Sequence, residues 1–394
     1  MTLRLYYTDS YLRDFDADIV ERADDGRRIY LDRTAFYPTS GGQPFDTGTL
    51  GGIAVVDVVD EGERVAHLLA GPLADPLAGN RVSGAVNWDR RFDHMQQHTG
   101  QHLLSAVLHQ LCGHATISVH FGSENSTLDL DAPAIDHPRL VEAESRANRL
   151  VAENRPVAVS FEEAGSASGL RKASEREGRL RIVTIRDLDR SACGGTHVRA
   201  TGEIGPILIR KAERVKKNVR LEFLCGMRAV RRARADLDLL TRLAGQFSAA
   251  AADIPALVEA QRTELKGAAA ARRELEEALA SLRARDLHAA STPDGPGMRS
   301  IVVREETGPI DRLRPLARAV AGMPRALFVG WTADPPALMV ATSADSGLDA
   351  GRLLRSALEQ VGGRGGGNER TGQGTAPSAS ALVEAVAAIV PGRV

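Results

Sequence analysis

The stretch DHMQQHTGQHLLSAVLHQLCG, residues 93–113, decides the fold. Leu103, Leu104, Val107, Leu108 and Leu111 recur at helical spacing and Gly113 supplies a stop, so a helix is predicted over about 93–112. On that helix His94, His98 and His102 stand at intervals of four. With 3.6 residues per turn, an i, i+4 pair projects from one face, one turn apart. HTGQH is therefore a ready two-nitrogen clamp for a metal ion, although Thr99 stands where the HExxH of metalloproteases has its glutamate. The bland alternative for the pair alone is a solvated helix face. A second motif, CGGTH, places Cys193 and His197 four apart around two glycines, which implies a tight loop bringing a thiolate and an imidazole to one point. Together with His98 and His102 this makes a Cys-His₃ set that tetrahedral zinc accepts. Cys112 and Cys225 lie on apolar or β stretches without a nearby histidine and read as small buried hydrophobes.

Upstream of the helix the chain reads as β. Runs at 28–31, 53–59, 64–69 and 81–86 are separated by Gly, Pro and Asp clusters, which favours a small barrel or sandwich over residues 1–90. Downstream, strands are predicted at 116–121, 126–130, 157–161, 182–185, 204–209 and 219–224, with a helix at 138–154. Residues 91–226 thus form an α+β domain. Residues 227–290 read as helical, broken around Asp253-Ile254-Pro255. Val258, Gln261, Leu265, Ala268, Arg272, Leu275, Leu279 and Leu282 follow a 3,4 spacing that suits a modest coiled-coil seam or an ordinary amphipathic hairpin. A Pro/Gly linker at 291–297 leads into a small α/β unit, 291–394, carrying the Gly-rich loop GGRGGGN (362–368) and GQG (372–374).

Basic and acidic side chains number 50 and 51, a balance of −1, so any nucleic-acid surface must be local. It is concentrated between Arg210 and Arg234. Arg210, Lys211, Arg214, Lys216, Lys217, Arg220, Arg231 and Arg232, with Arg228 and Arg234, face only Glu213 and Glu222 in that stretch. Such density binds phosphates with salt-sensitive affinity. A hydrophobic share of 43% against 26% charged excludes a disordered chain, and three cysteines exclude a disulfide scaffold. The N-terminus lacks a signal-peptide pattern and no window reaches 18 apolar residues, so the expectation is a cytoplasmic protein without a membrane span.

FYPTSGGQPFDTG (36–48), HTGQHLL (98–104), CGGTHV (193–198) and TGEIGPILI (201–209), in that order, resemble the editing region of alanyl-tRNA synthetases and their free-standing relatives, the AlaX proteins. The resemblance covers residues 1 to about 226. The Gly-rich ending resembles, more loosely, the DHH-associated C-terminal domain of those synthetases, with Glu369-Arg370-Thr371 departing from the usual composition. The resemblance implies a long AlaX: an α+β multidomain chain with an N-terminal small β-barrel, a zinc-containing α+β editing domain, a coiled-coil-like helical spacer and a C-terminal small α/β domain. It implies hydrolysis in trans of tRNA(Ala) mischarged with serine, with glycine left open as a second substrate, at one zinc per chain, without aminoacylation. Thr116 matches the family position credited with reading the serine hydroxyl, and Gln43 a residue near the editing pocket, a candidate to orient substrate or water. Zinc held by His98, His102, Cys193 and His197 would be structural if closed. If His197 is a loose ligand it could activate water, or it could bind the substrate amino group. Also open are a non-catalytic tRNA-binding protein, editing of Ser-tRNA(Thr), and a homodimer through the spacer and C-terminal domain.

Overall fold

The computed structural model describes residues 1–73, 80–173, 177–294 and 296–392. Gly295, inside the expected linker, lies outside them. The chain divides into two compact units, Met1–Leu243 and Ala244–Val394.

The first unit opens with a closed six-stranded barrel whose strands run in the order Asp14–Ala23, Arg28–Leu31, Val65–Leu69, Ile53–Asp60, Gly48–Leu50, Arg81–Val86. Of the two architectures left open by the turn pattern, the barrel is the one formed. Its first strand was not among the predicted ones, because Asp14, Asp16, Asp18 and Glu21 mask it as a polar loop. Phe15, Ala17 and Ile19 alternate with those acids and point into the barrel core beside Ile29, Leu31 and Val58. That period of two is the strand signal.

Helix α1 follows, Trp88–Cys112, with the Asn87 side chain accepting from the Arg90 amide at its start and Gly113 left-handed (φ 72°) at its end. It starts five residues before the predicted boundary. The capping asparagine was the signal, and the charge of Arg91 concealed a buried position. Leu103, Leu104, Val107 and Leu108 share one core with Ala143, Ala147 and Leu150 of α2 (His137–Ala152) and with Leu128, Leu221 and Phe223. The last three belong to a four-stranded sheet ordered Ile207–Val215, Asn218–Cys225, Ser126–Leu130, Thr116–Phe121. Residue 204 is not in the strand, as predicted, but closes the 3₁₀ turn Thr201–Ile204, because Gly205 (φ +69°) and Pro206 delay pairing until Ile207. A separate three-stranded sheet, Val157–Glu163, Arg179–Ile185 and Asp189–Ala192, carries the second motif at its end. Helix α3 spans Met227–Gln246.

In the second unit, α4 (Ile254–Ala290) precedes a five-stranded sheet ordered Arg299–Thr307, Ala326–Asp334, Ala337–Thr342, Thr371–Thr375, Arg364–Gly367. Helices α5 (Arg314–Ala321), α6 (Ala350–Gln360) and α7 (Ala379–Ile389) complete it. The Gly-rich stretch is not a loop, as expected, but a β-hairpin in which Gly365 opposes Gly374 and Gly367 opposes Gly372. A Cβ on Gly365 would come within 2.6 Å of Leu354, so the glycines let α6 lie against the strand. The face of α4 that enters the core is that of Ala280, Ala284 and Leu287. The 3,4 seam stays outside, with Leu265, Leu275 and Leu279 each more than 60% exposed. Among the described residues no helix is long and apolar enough to cross a membrane.

Candidate metal centre

Helix α1 passes between the barrel and the sheets and projects His98 and His102 side by side, ring centroids 5.3 Å apart. The loop after the Asp189–Ala192 strand brings Cys193 and His197 against them. The Cys193 Sγ lies 3.3 Å from His98 Nε2 and 3.3 Å from His197 Nε2. One donor atom from each of the four residues lies within 4.8 Å of the others. His94 is not part of the group. Each step of four advances about 40° around the helix, so it has turned about 80° away from His102. It is buried, its Nδ1 without a hydrogen-bond partner, and burial together with the Arg90, Arg228 and Arg91 charges lowers its pKa to about 3.

Each imidazole of the group is held by its outer nitrogen. His98 Nδ1 meets Gln43 Oε1 at 2.9 Å, His102 Nδ1 meets Asp189 Oδ2 at 3.0 Å, and His197 Nδ1 meets Thr99 Oγ1 at 3.1 Å. With Nδ1–H so engaged, Nε2 keeps its lone pair for the shared centre, the arrangement by which proteins orient metal-bound histidines. Gln43 is fully buried; its Nε2 donates to Thr196 Oγ1 at 2.8 Å and its Oε1 accepts from the Thr196 amide at 3.2 Å. It sits behind His98, not in the cleft wall. Arg181, which the sequence reading did not single out, donates to the carbonyls of Cys193 (2.7 Å), Gly195 (2.9 Å) and Tyr7 (2.9 Å) and fixes the loop to the barrel side. Asp189 is in turn held by Arg171 at 2.6 Å. Its signal was an acid four residues before Cys193.

The charges suit a cation. Burial raises the Cys193 pKa, but the His98 and His197 charges and the hydrogen bonds of His102 and His197 outweigh it and hold the thiol well below its usual value. Burial likewise raises Asp189, yet its bond to His102 and the Arg171 charge bring it down to about 2. His197 is driven to about 3 by burial and by His98. His102 is lowered by burial but raised more strongly, to about 9, by Asp189 and Cys193. One thiolate and three ring nitrogens with fixed tautomers fit a borderline divalent metal ion, which would take the place of the His102 proton.

Two consequences follow for substitutions. Asp189→Asn keeps the size of the side chain but weakens the hold on His102, and metal affinity is expected to fall about 10–100-fold in a chelator competition. A Cβ on Gly195 would lie 2.2 Å from the His98 ring, whereas one on Gly194 meets nothing closer than the Tyr7 hydroxyl at 3.7 Å. Gly195→Ala is therefore expected to displace His98 and lose the metal, and Gly194→Ala to keep it, read as bound metal per chain after dialysis.

The centre lies at the wall of a cleft of about 570 Å³. His98, His102 and Cys193 line it together with Thr116, Gln101, Tyr7 and Lys172. Thr116 thus lines the same cleft as three of the cluster residues, and Gln43 stands one layer behind His98.

The basic residues singled out above occupy the hairpin of Ile207–Val215 with Asn218–Cys225, and α3. Acids distant in sequence partner two of them, Arg220 with Asp129 at 2.7 Å and Arg228 with Asp93 at 2.6 Å, and Arg232 pairs with Asp236 one turn along α3 at 2.9 Å. Arg210 lies 3.9 Å from Glu222, and Lys211 pairs with Glu213. Among the described residues Arg214, Lys216, Lys217 and Arg231 carry no ion pair.

A barrel followed by an α+β layer thus carries a Cys-His₃ cluster that could hold a metal ion. Residues 180–221 match the family model described as the threonyl and alanyl tRNA synthetase second additional domain. The chain is 39% identical over 242 residues to the alanyl-tRNA editing protein AlaX-M of Methanosarcina acetivorans, covering 57% of this chain and 98% of that one. It belongs to the AlaX family of alanyl-tRNA editing proteins. It is also 35% identical to AlaX-L of Pyrococcus horikoshii, over 58% of this chain and 59% of that protein. Against the alanine–tRNA ligase of Methanoculleus marisnigri it is 35% identical over 98% of its own length, C-terminal unit included, but spans only 42% of the ligase. A solved C-Ala domain of Aquifex aeolicus alanyl-tRNA synthetase covers 24% of this chain at 19% identity and a TM-score of 0.22.

Proposed function

We propose that this chain is an aminoacyl-tRNA deacylase that clears tRNA(Ala) mischarged with serine or glycine, acting in trans in the cytoplasm. The observation that carries the reading is the convergence of His98, His102, Cys193 and His197, the first three of which line a cleft that Thr116 also lines. An alanine-sized synthetic pocket rejects an added hydroxyl poorly, so a second site able to hydrogen-bond that hydroxyl discriminates far better. The four donors would hold one zinc per chain. When bound, the zinc supplies Lewis acidity beside the ester or a grip on the substrate amino group.

The residues of the chain do the rest. Gln43, Asp189 and Thr99 fix the imidazoles, Arg181 fixes the loop carrying Cys193, and Thr116 presents a hydroxyl to the acyl group. Gln43 acts through His98 in this reading and is a positioning residue. The tRNA backbone would be held by the basic hairpin and α3, where Arg214, Lys216, Lys217 and Arg231 are freest to meet phosphate. Arg210, Lys211, Arg220 and Arg232 would have to share their charge with acids. The C-terminal unit would be a DHH-associated domain, and the exposed seam of α4 would pair two chains. A sedimentation series giving monomer at every concentration would remove the dimer.

The test is a deacylation panel: zinc-loaded protein with Ser-, Gly- and Ala-tRNA(Ala) and Ser-tRNA(Thr), with and without chelator. Release of serine from tRNA(Ala) with Ala-tRNA(Ala) spared is expected, and intact Ser-tRNA(Ala) would overturn the reading. The closed set of four donors favours one second reading, a tRNA-binding protein with structural zinc. It predicts tight tRNA binding and no hydrolysis in the same panel.

A further inference from the structure

Behind the Cys193 loop lies a second cavity, of about 140 Å³. Tyr7, Ala192, Cys193 and Gly194 line both it and the larger cleft, so these four residues form the wall between the two. Leu180 and Phe161 give the small cavity apolar sides, and Arg179 and Glu177, both exposed, give it access to solvent. At about 30 Å³ per water it has room for some four waters or one small anion. Arg181 lines this cavity and not the cleft. Its side chain is buried, 7% exposed. Nε and Nη1 donate to the carbonyls of Tyr7, Cys193 and Gly195, and Nη2 has no hydrogen-bond partner. Among the described residues Arg181 pairs with no carboxylate, and the charge that most offsets its burial is that of Cys193. A buried guanidinium with donors unspent is costly until an acceptor meets them.

We infer that this cavity is a small-anion site, in which Arg181 Nη2 binds a carboxylate or halide of few atoms, and that its occupancy is coupled to metal binding at the cluster. The coupling follows from charge. Without metal, the Cys193 thiolate repels an anion on the other side of its own loop. With metal bound, that negative charge is neutralised, and in a dry interior the change counts for more than it would in water. Linkage is reciprocal, so the anion tightens metal binding by the factor by which metal tightens the anion. Gly194 keeps the wall thin, since a Cβ there would meet only Tyr7, at 3.7 Å. Two sources share this chemistry: a free anion from solvent, and the carboxylate that ester hydrolysis releases. In that reaction the carbonyl carbon gains the water oxygen and its bond to the ribose oxygen breaks. The ribose oxygen keeps one water proton and the new acid loses the other, so a neutral ester becomes an anion. Only this second source rests on the deacylase reading.

The experiment measures zinc affinity by chelator competition at fixed ionic strength in formate, bromide or gluconate, the last too large for the cavity. Wild type is expected to bind zinc about fivefold or more tightly in formate or bromide than in gluconate. Leu180→Phe fills the cavity and is expected to keep zinc and lose that difference. Arg181→Met should lose it too, but also frees the Cys193 loop, so Leu180→Phe decides. Crystals of the zinc-loaded protein grown in bromide are expected to show anomalous scattering beside Arg181 Nη2, absent in Leu180→Phe. Equal affinities in the three salts, a difference that persists in Leu180→Phe, or bromide at the zinc alone would overturn the inference. Free serine and serinamide separate the sources. An effect of serine that serinamide lacks and Leu180→Phe abolishes assigns the released carboxylate, and an effect of formate and bromide without one of serine assigns a free anion. Anion coupling in a protein that hydrolyses no aminoacyl-tRNA would overturn the deacylase reading and leave the site standing.

Discussion

Cys193→Ala is expected to strip the protein of its metal and of its hydrolytic activity together. The thiolate is the one anionic donor among the four, and the surrounding charges hold its thiol well below the usual value. Its loss leaves three neutral imidazoles to balance a dication in a nearly dry site, where His98 and His197 are each 3% exposed. Structural sites of this kind bind zinc with an apparent free energy of about 10–16 kcal/mol, so removal of a charged ligand should weaken binding on the order of 10³-fold or more. Activity that depends on the ion falls in proportion to occupancy. Because an ion that binds only the folded state stabilises it, wild-type protein should also melt lower after chelation, and the variant should not respond to chelator. The measurements are bound zinc per chain, melting temperature with and without chelator, and release of serine from tRNA(Ala). A variant retaining stoichiometric zinc would place the ion elsewhere.

The second large effect concerns stability. Arg91 and Asp46 are both fully buried and form an ion pair between α1 and the barrel. The Arg91 Nε lies 3.0 Å from both Asp46 oxygens; its remaining donors reach the carbonyls of Ser10 at 2.9 Å and Ala35 at 2.5 Å. Asp46 Oδ2 also accepts from the Tyr37 amide at 2.7 Å. Removing either partner leaves an uncompensated charge out of water, which costs about 3–5 kcal/mol. In a unit of this size each kcal/mol lowers the melting temperature by about 2–4 °C, so Arg91→Ala or Asp46→Ala should lower it by roughly 10 °C. Arg91→Met with Asp46→Leu should cost less than the sum of the two singles, since no lone charge remains. Singles within about 1 kcal/mol of wild type in urea unfolding would show that the pair does not hold the helix to the barrel.

These two sites mark how far the sequence could be read. The metal cluster was legible because short spacings encode its geometry. Four residues on a helix return to the same face, and two glycines between Cys193 and His197 permit the close turn. The Gly195 contact with His98 gives that glycine its physical reason. The aspartate of GGQPFDTG could be seen but not its task, since its partner Arg91 lies 45 positions away. Gln43 was placed near the pocket by resemblance, and only its bonds to His98 and Thr196 reveal that it stands behind the cluster.

The charged patch illustrates the same limit. Counting neighbours along the chain leaves ten basic side chains against two acids, while Asp93 and Asp129 come from other elements to neutralise Arg228 and Arg220. The strand Asp14–Ala23 was hidden because its outward acids dominate the composition, although its inward residues alternate as a barrel requires.

What the sequence determined by itself was therefore whatever depends on local periodicity: α1, most strands, the two halves of the metal set, and the family. What the tertiary structure alone decided was whatever depends on pairing across the fold. It settled which acid orients which histidine and which cations stay free. Backbone geometry repeats over a few residues and leaves its trace in spacing. A hydrogen bond between Thr99 and His197, or Arg181 and Cys193, depends on elements brought together only when the core closes, and no spacing records it.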